Sequence, residues 1–332
     1  MFYPVFFIGI FAVTFLLTAG ISHFLIPILA SHKMGQKILE IGPRWHKSKE
    51  GTPTMGGLAF IIAALITGIF ACIIIFLREG AKELPALVLT LAMAMASGLI
   101  GMIDDMAKLR KKQNEGLTAP QKFLLQLICA GVYLFGMSRF GQITTELYIP
   151  YLDIAIDFGL AYYIIALLLL CGVMNSVNLT DGIDGLASSM TVVVGLFYGA
   201  AALFHTVMPA PGLTAVAAIM AGAAAGFLIY NFYPARVFMG DTGSLFFGGL
   251  VVGAAFMMDN PLIVVVCGLV YIFETASTML QVMYFKLTSG KRLFKMAPFH
   301  HHLEKCGWSE IKIVAVFSLL TACLCVCAWF GL

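Results

Sequence analysis

The chain has 332 residues, of which 61% are hydrophobic and only 11% charged, with a formal net charge of +3. Soluble domains carry about 25% charged residues, so this composition excludes a soluble core, and the small net charge excludes a nucleic-acid footprint. A bilayer accommodates such apolar excess, because a helix needs about 20 mostly apolar residues to cross it.

Ten apolar segments follow one another, at roughly 2–29, 54–77, 84–103, 120–138, 158–175, 185–205, 212–230, 243–258, 261–285 and 311–331. The first lacks the basic leader of a cleaved signal peptide and is expected to stay as a membrane helix. The stretch between the fourth and fifth, R-F-G-Q-I-T-T-E-L-Y-I-P-Y-L-D-I-A-I-D-F-G from Arg139, alternates and is rich in β-branched residues. It predicts a short hairpin on the membrane surface. The eighth segment is short and Gly-rich, which predicts a tilted or deeply packed helix. The polar stretches are too short for a soluble domain, and no internal repeat is evident. The expectation is an all-α polytopic membrane protein forming one integral membrane catalytic domain over residues 1–332. The eight cysteines form no C-x-x-C pair and read as small apolar helix residues rather than disulfides.

Lysine and arginine set the orientation. Seventeen of the 20 lie in or beside the connections after segments 1, 3, 5, 7 and 9, and three (Arg78, Lys82 and Arg139) lie on the other side. By the positive-inside rule the first side is cytoplasmic and both termini are outside.

Five polar clusters fall on that inner side. K-S-K-E-G-T-P-T-M-G-G, Lys47 to Gly57, leads tightly into segment 2. Its backbone N–H groups, with Lys49 and Thr54, suit an anion, although a Gly/Pro loop with snorkelling lysines has the same look. G-M-I-D-D-M-A-K closes segment 3 with Asp104, Asp105 and Lys108. Adjacent carboxylates at a membrane boundary are costly unless they pair or bind a cation, and beside phosphates that cation is Mg²⁺. Lys122 opens segment 4. N-S-V-N-L-T-D-G-I-D-G-L places Asn175, Asn178, Asp181 and Asp184 three residues apart, on one face if the stretch is helical. N-F-Y-P-A-R-V-F-M-G-D-T-G-S runs from Asn231 through Phe238, Gly240 and Asp241, and its carboxylate, amide and hydroxyl groups suit Mg²⁺ and phosphate together. M-A-P-F-H-H-H-L-E carries His300, His301 and His302. Without cysteine or i,i+4 partners these suit phosphate better than zinc, and His300 and His302 share a side only in extended or loop backbone. His23, His205 and Glu274, an acid inside segment 9, are expected to be structural. Together the clusters describe a site for a phosphorylated, Mg²⁺-bound substrate at the membrane surface.

D-D-M-A-K, N-S-V-N-L-T-D-G-I-D-G-L, N-F-Y-P-A-R-V-F-M-G-D-T-G-S and P-F-H-H-H-L-E resemble the polyprenyl-phosphate N-acetylhexosamine-1-phosphate transferases. G-T-P-T-M-G-G narrows the likeness to their phospho-N-acetylmuramoyl-pentapeptide branch in bacteria. The resemblance spans Lys49 to Glu304. It implies transfer of phospho-MurNAc-pentapeptide from UDP-MurNAc-pentapeptide to undecaprenyl phosphate, giving lipid I and UMP, with Mg²⁺, in a bacterial cytoplasmic membrane. It also implies a homodimer. On this reading Asp241 is the first choice of metal ligand. Asp104 and Asp105 hold the lipid-phosphate side, one of them accepting a proton or, through Asp105, forming a covalent aspartyl-phosphate. Lys108 and Lys122 balance phosphate charge. The uridine lies near Lys49, Asn178, Asp181, Asp184 and a stacking Phe238, with Thr54 and Gly240 at the border, and Asn175 and Asn231 count as substrate-binding. His300, His301 and His302 sit by the pyrophosphate or the sugar. Two rivals stay open: a sister transferase using UDP-GlcNAc, and a transporter or cation channel, which would need polar residues mid-helix on many segments.

Overall fold

In lipid every backbone polar group must be satisfied within its own segment, so apolar runs of this length become helices. The computed structural model describes residues 2–31, 49, 51–111, 116–205 and 210–332. The lysines and arginine of residues 33–47, and Lys112, lie outside the described residues. In chain order the helices are α1 (Phe2–Ser31), α2 (Gly57–Glu79), α3 (Leu84–Lys111), α4 (Ala119–Arg139), α5 (Leu160–Thr180), α6 (Leu186–Phe204), α7 (Pro211–Asn231), α8 (Gly240–Met257), α9 (Ile263–Cys267), α10 (Leu269–Leu287), α11 (Phe299–Lys305) and α12 (Glu310–Trp329). Among the described residues nine of these, all but α9, α10 and α11, are long and apolar enough to cross a membrane. The chain is therefore an all-α polytopic membrane protein, as its composition predicts. The ninth apolar segment differs from expectation. It breaks at Gly268 into α9 and α10, because glycine weakens a helix interior and the chain turns there.

The hairpin forms between α4 and α5. Strand β1 (Glu146–Ile149) pairs antiparallel with β2 (Ile154–Asp157), Glu146 opposite Asp157 and Ile149 opposite Ile154. The Tyr151 hydroxyl ties it to α12 by donating to the Cys327 carbonyl at 2.9 Å.

The centre of the bundle is α7 and α8, each 83% buried over its apolar window against 28% for α1 and α4. Both are built from Ala and Gly, which let neighbouring backbones approach closely where the bilayer offers no hydrophobic drive between helices. Helix α8 packs on α3 and α5, and α7 on α1 and α6. The short Gly-rich eighth segment thus packs deep. Gly101 of α3 faces the Asp241 backbone so closely that a Cβ there would collide with it. That contact brings the end of α3 to the start of α8.

Side-chain contacts gather the ends of α3 and α5 with the starts of α4, α8 and α12 at one end of the bundle. The hairpin, joining the other ends of α4 and α5, marks the opposite end.

Candidate active site

Three carboxylates converge where α3 ends and α8 begins. Asp104, Asp105 and Asp241 offer oxygens lying within 4.8 Å of one another. The last turns of α3 place Asp104 and Asp105 beside Lys108, whose Nζ reaches Asp104 at 2.7 Å (i,i+4) and Asp105 at 3.7 Å (i,i+3). The same ammonium reaches Asp241 Oδ2 at 2.9 Å, and Lys122 from the first turn of α4 reaches that oxygen at 2.6 Å. The other Asp241 oxygen accepts from the Asn178 amide at 3.0 Å. Asn178 in turn accepts from Lys122 at 3.1 Å.

Asp105 has a different task. Its oxygens accept from the Asp241 and Thr242 backbone N–H groups at 3.2 and 2.9 Å and from the Thr242 hydroxyl at 2.7 Å. It caps the first turn of α8, where N–H groups lack helical partners. Gly240 sits there with φ +69°, and a side chain at that position would also run into Asp105 and Thr54. Asp104, also buried, accepts from the Leu117 backbone N–H at 2.7 Å.

A cavity of about 160 Å³ adjoins these acids, lined by Lys49, Thr54, Asp105, Lys108, Asn178, Asp181, Gly182, Ile183, Asp184, Phe238, Gly240 and Asp241. Its walls come from loops zipped together by backbone bonds: Phe238 N–H to the Pro53 carbonyl at 2.9 Å and Gly56 N–H to the Phe238 carbonyl at 2.9 Å. Lys49 donates to Asp184 at 2.7 Å and to Glu310 at 2.6 Å. Asp184 also accepts from the Ala235 backbone at 2.8 Å, so it pins the segment before Phe238. Asp181, just past the end of α5, is pushed up to about 8 by burial first and then by the charges of Asp241, Asp105 and Asp184.

Several expected site residues stand elsewhere. Helix α5 ends at Thr180, so Asn175 and Asn178 are helical while Asp181 and Asp184 lie in the turn beyond it, and the four share no helix face. Asn175 points away from the cavity and exchanges hydrogen bonds with Gln126 of α4 at 2.7 and 3.3 Å. Asn231 is buried, accepting from Ser188 at 2.9 Å and donating to the Val237 carbonyl at 3.0 Å. The histidine run forms the short helix α11, not extended or loop backbone; the His300 and His301 rings meet edge to face at 4.2 Å, and each histidine has its own partner. His300 is buried against Glu274, so Glu274 is not an idle helix acid. His301 pairs with Glu304 at 2.6 Å, and His302 accepts from the Lys295 backbone at 3.1 Å. Sequence reading missed Glu310, whose only signal is the S-E start of α12 with Ser309 as its N-cap.

Clustered carboxylate oxygens, two lysine ammonium groups and a cavity edged by an amide and an aromatic ring suit charged phosphate chemistry. The family model described as Glycosyl transferase family 4 matches residues 86–259. Phospho-N-acetylmuramoyl-pentapeptide-transferase signature 1 matches residues 49–61. The two stretches include every cavity residue named above. Curated relatives carry the name phospho-N-acetylmuramoyl-pentapeptide-transferase. One from Clostridium perfringens (strain 13 / Type A) is 44% identical over 322 residues, 96% of this chain and 96% of the relative. One from Clostridium acetobutylicum is 46% identical over 310 residues, 92% of this chain and 93% of the relative. One from Staphylococcus haemolyticus (strain JCSC1435) is 44% identical over 307 residues, 92% of each.

Proposed function

The chain belongs to the phospho-N-acetylmuramoyl-pentapeptide-transferase family, and from that premise we propose that it moves phospho-MurNAc-pentapeptide from UDP-MurNAc-pentapeptide onto undecaprenyl phosphate, giving lipid I and UMP. It is a multi-span membrane transferase of peptidoglycan synthesis. The observation that carries the finer reading is the pair of lysines, Lys108 and Lys122, gripping one Asp241 oxygen at the mouth of a cavity walled by Lys49, Asn178, Asp181 and Phe238.

The donor set fits a hard divalent cation, since three carboxylates present oxygens within 4.8 Å and Mg²⁺ takes one or two carboxylates with substrate phosphates and water. Bound by Asp241, with Asp104 beside it, Mg²⁺ would supply neutralisation of pyrophosphate charge. The remaining work belongs to the chain. Lys108 and Lys122 are held by Asp241 in the free protein and turn to phosphate oxygens when substrate arrives. An oxygen of the lipid phosphate attacks the sugar-side phosphorus, the bond from that phosphorus to the bridging oxygen breaks, and UMP leaves with that oxygen. A phosphate monoester, with its second pKa near ~6, is already largely dianionic at neutral pH, so the nucleophile needs no strong base. The three donors on Asp105 support a positioning role for it over covalent catalysis. Positioning and charge neutralisation then supply most of the rate, as in other phosphoryl transfers. Phe238 stacks on the uracil, and Lys49, Asp181 and Asp184 border the nucleoside.

The basic end of the bundle faces the cytoplasm on this reading, which suits a nucleotide substrate. Seventeen of 20 lysines and arginines support it. In a cysteine-free background, a cysteine at Thr118 reacts with an impermeant thiol reagent only from the inner side; labelling from outside would reverse the orientation. For the reaction, the purified protein is offered UDP-MurNAc-pentapeptide or UDP-GlcNAc with undecaprenyl phosphate. UMP release with the first and not the second is the expected result, and the opposite preference would transfer the chain to the sister activity.

A further inference from the structure

Glu274 and His300 form a buried pair that the reaction above does not use. Glu274 lies inside α10 and His300 in the first turn of α11, and both are 0% exposed. The Glu274 carboxylate accepts from the His300 backbone N–H at 3.1 and 3.3 Å and from His300 Nδ1 at 3.1 Å. A fully buried acid is expensive and persists where it is paired. The carboxylate therefore fixes the backbone of α11, the orientation of the ring, and the nitrogen that carries the proton.

The other ring nitrogen faces the cavity wall. Among the described residues, the buried His300 Nε2 has no hydrogen-bond partner. It rests on Gly182, where an added Cβ would strike Nε2 and both flanking ring carbons. The need for glycine there is one of space rather than torsion. Gly182 sits between Asp181 and Ile183–Asp184, all of which line the cavity. The imidazole thus backs the turn that carries the Asp181 and Asp184 carboxylates.

We propose that Glu274 is a positioning residue for the nucleotide pocket, setting the Asp181–Asp184 wall through the ring of His300 seated on Gly182. The proposal rests on reading this cavity as the nucleotide site. A merely structural Glu274, docking α11 and nothing more, would affect stability and both substrates alike.

The test uses the full chain purified in detergent, with UMP as the probe for the cavity and undecaprenyl phosphate as the second substrate. Glu274→Gln keeps the volume and removes the charge that holds the ring. It is expected to weaken UMP binding about tenfold, the scale set by one mispaired buried polar group, and to leave the KM for undecaprenyl phosphate within about twofold. Gly182→Ala pushes on the ring from the other side, at an exposed position outside the spanning helices, and is expected to do the same. The double variant is expected to bind UMP no more weakly than the worse single one, because both act through one contact. Should Glu274→Gln fail to fold, Gly182→Ala alone decides. Wild-type-like UMP affinity in Gly182→Ala would overturn the proposal, as would parallel weakening of both substrates in step with a lowered Tm. A wild-type protein that does not bind UMP would overturn the reading of the cavity itself, and this inference with it.

Discussion

Replacing Asp241 by asparagine separates catalysis from folding. In the free protein its Oδ2 takes Lys122 at 2.6 Å and Lys108 at 2.9 Å, and its Oδ1 takes Asn178 at 3.0 Å. Asparagine keeps one acceptor and turns an amide N–H₂ toward Asn178 or toward the lysines. Both lysines keep other partners: Lys108 has Asp104 at 2.7 Å and Lys122 has the Asn178 oxygen at 3.1 Å. These groups are mostly buried, at 17–24% exposure for the lysines and 18% for Asp241, so the loss in stability lies between the ~1 kcal/mol of an exposed pair and the ~3 kcal/mol of a broken buried one. Turnover is another matter. The substitution removes the charge at the point where the metal and pyrophosphate are proposed to sit, and one such group typically carries about 10²- to 10³-fold in rate, roughly 3–4 kcal/mol. The assay is UMP release at saturating levels of both substrates across a Mg²⁺ titration, with thermal unfolding of the same preparation. Turnover within about threefold of wild type, with an unchanged Mg²⁺ dependence, would refute the placement of the metal at Asp241.

Asp105→Asn is expected to behave differently, because Asp105 is buried and caps α8 with three accepted hydrogen bonds. An amide there leaves at least one donor unsatisfied, at about 1–3 kcal/mol, so Tm and turnover fall together; an unchanged Tm would contradict the capping role. Glu310→Gln loosens Lys49, which it holds at 2.6 Å, and is expected to raise the nucleotide KM by about tenfold while kcat stays near wild type; equal loss in both would point to general damage instead. The Asp181 carboxyl, raised from 3.8 to about 8 by burial and neighbouring carboxylates, holds its proton longer in the folded state than in the unfolded one. Its contribution to stability is therefore full below about pH 4 and is lost as pH rises toward 8. Thermal unfolding of the substrate-free protein between pH 5 and 8 is expected to decline less in Asp181→Asn than in wild type; identical slopes would remove Asp181 as the cause.

Much of this molecule is legible in its sequence because a bilayer imposes a simple rule. Apolar runs of spanning length become helices, and every predicted segment contains one, although α3 continues to Lys111, past the predicted end at 103, and carries Asp104, Asp105 and Lys108 within it. The break at Gly268 was hidden, since one glycine in an apolar run reads equally well as an uninterrupted helix. The acids were legible for a related reason. Asp104, Asp105, Asp181, Asp184 and Asp241 sit at helix ends where charge is costly, and the structure brings them to one end of the bundle. What each acid does there was not legible. Asp105 serves the first turn of α8, and Asp184 ties Lys49 to the loop before Phe238, contacts made across more than 50 residues of chain. Asn175 by its spacing from Asn178, and Asn231 by its motif, were expected to bind substrate, yet their amides meet Gln126, Ser188 and Val237 instead. The partners of the histidines were not legible: α11 is helical, so each imidazole meets a different group, and only the fold pairs His300 with Glu274, 26 positions earlier in the chain. Glu310 carries no pattern that separates it from an ordinary acidic first turn.

The central claim is that this cavity and its acids transfer a sugar phosphate from a uridine nucleotide to a polyprenyl phosphate. The most direct measurement follows purified protein in detergent with UDP-MurNAc-pentapeptide, undecaprenyl phosphate and Mg²⁺, quantifying UMP and the lipid-linked product together. The account predicts equal amounts of both, dependent on the lipid phosphate and abolished by chelation of the metal. UMP appearing without lipid-linked product, or product forming undiminished after chelation, would contradict it.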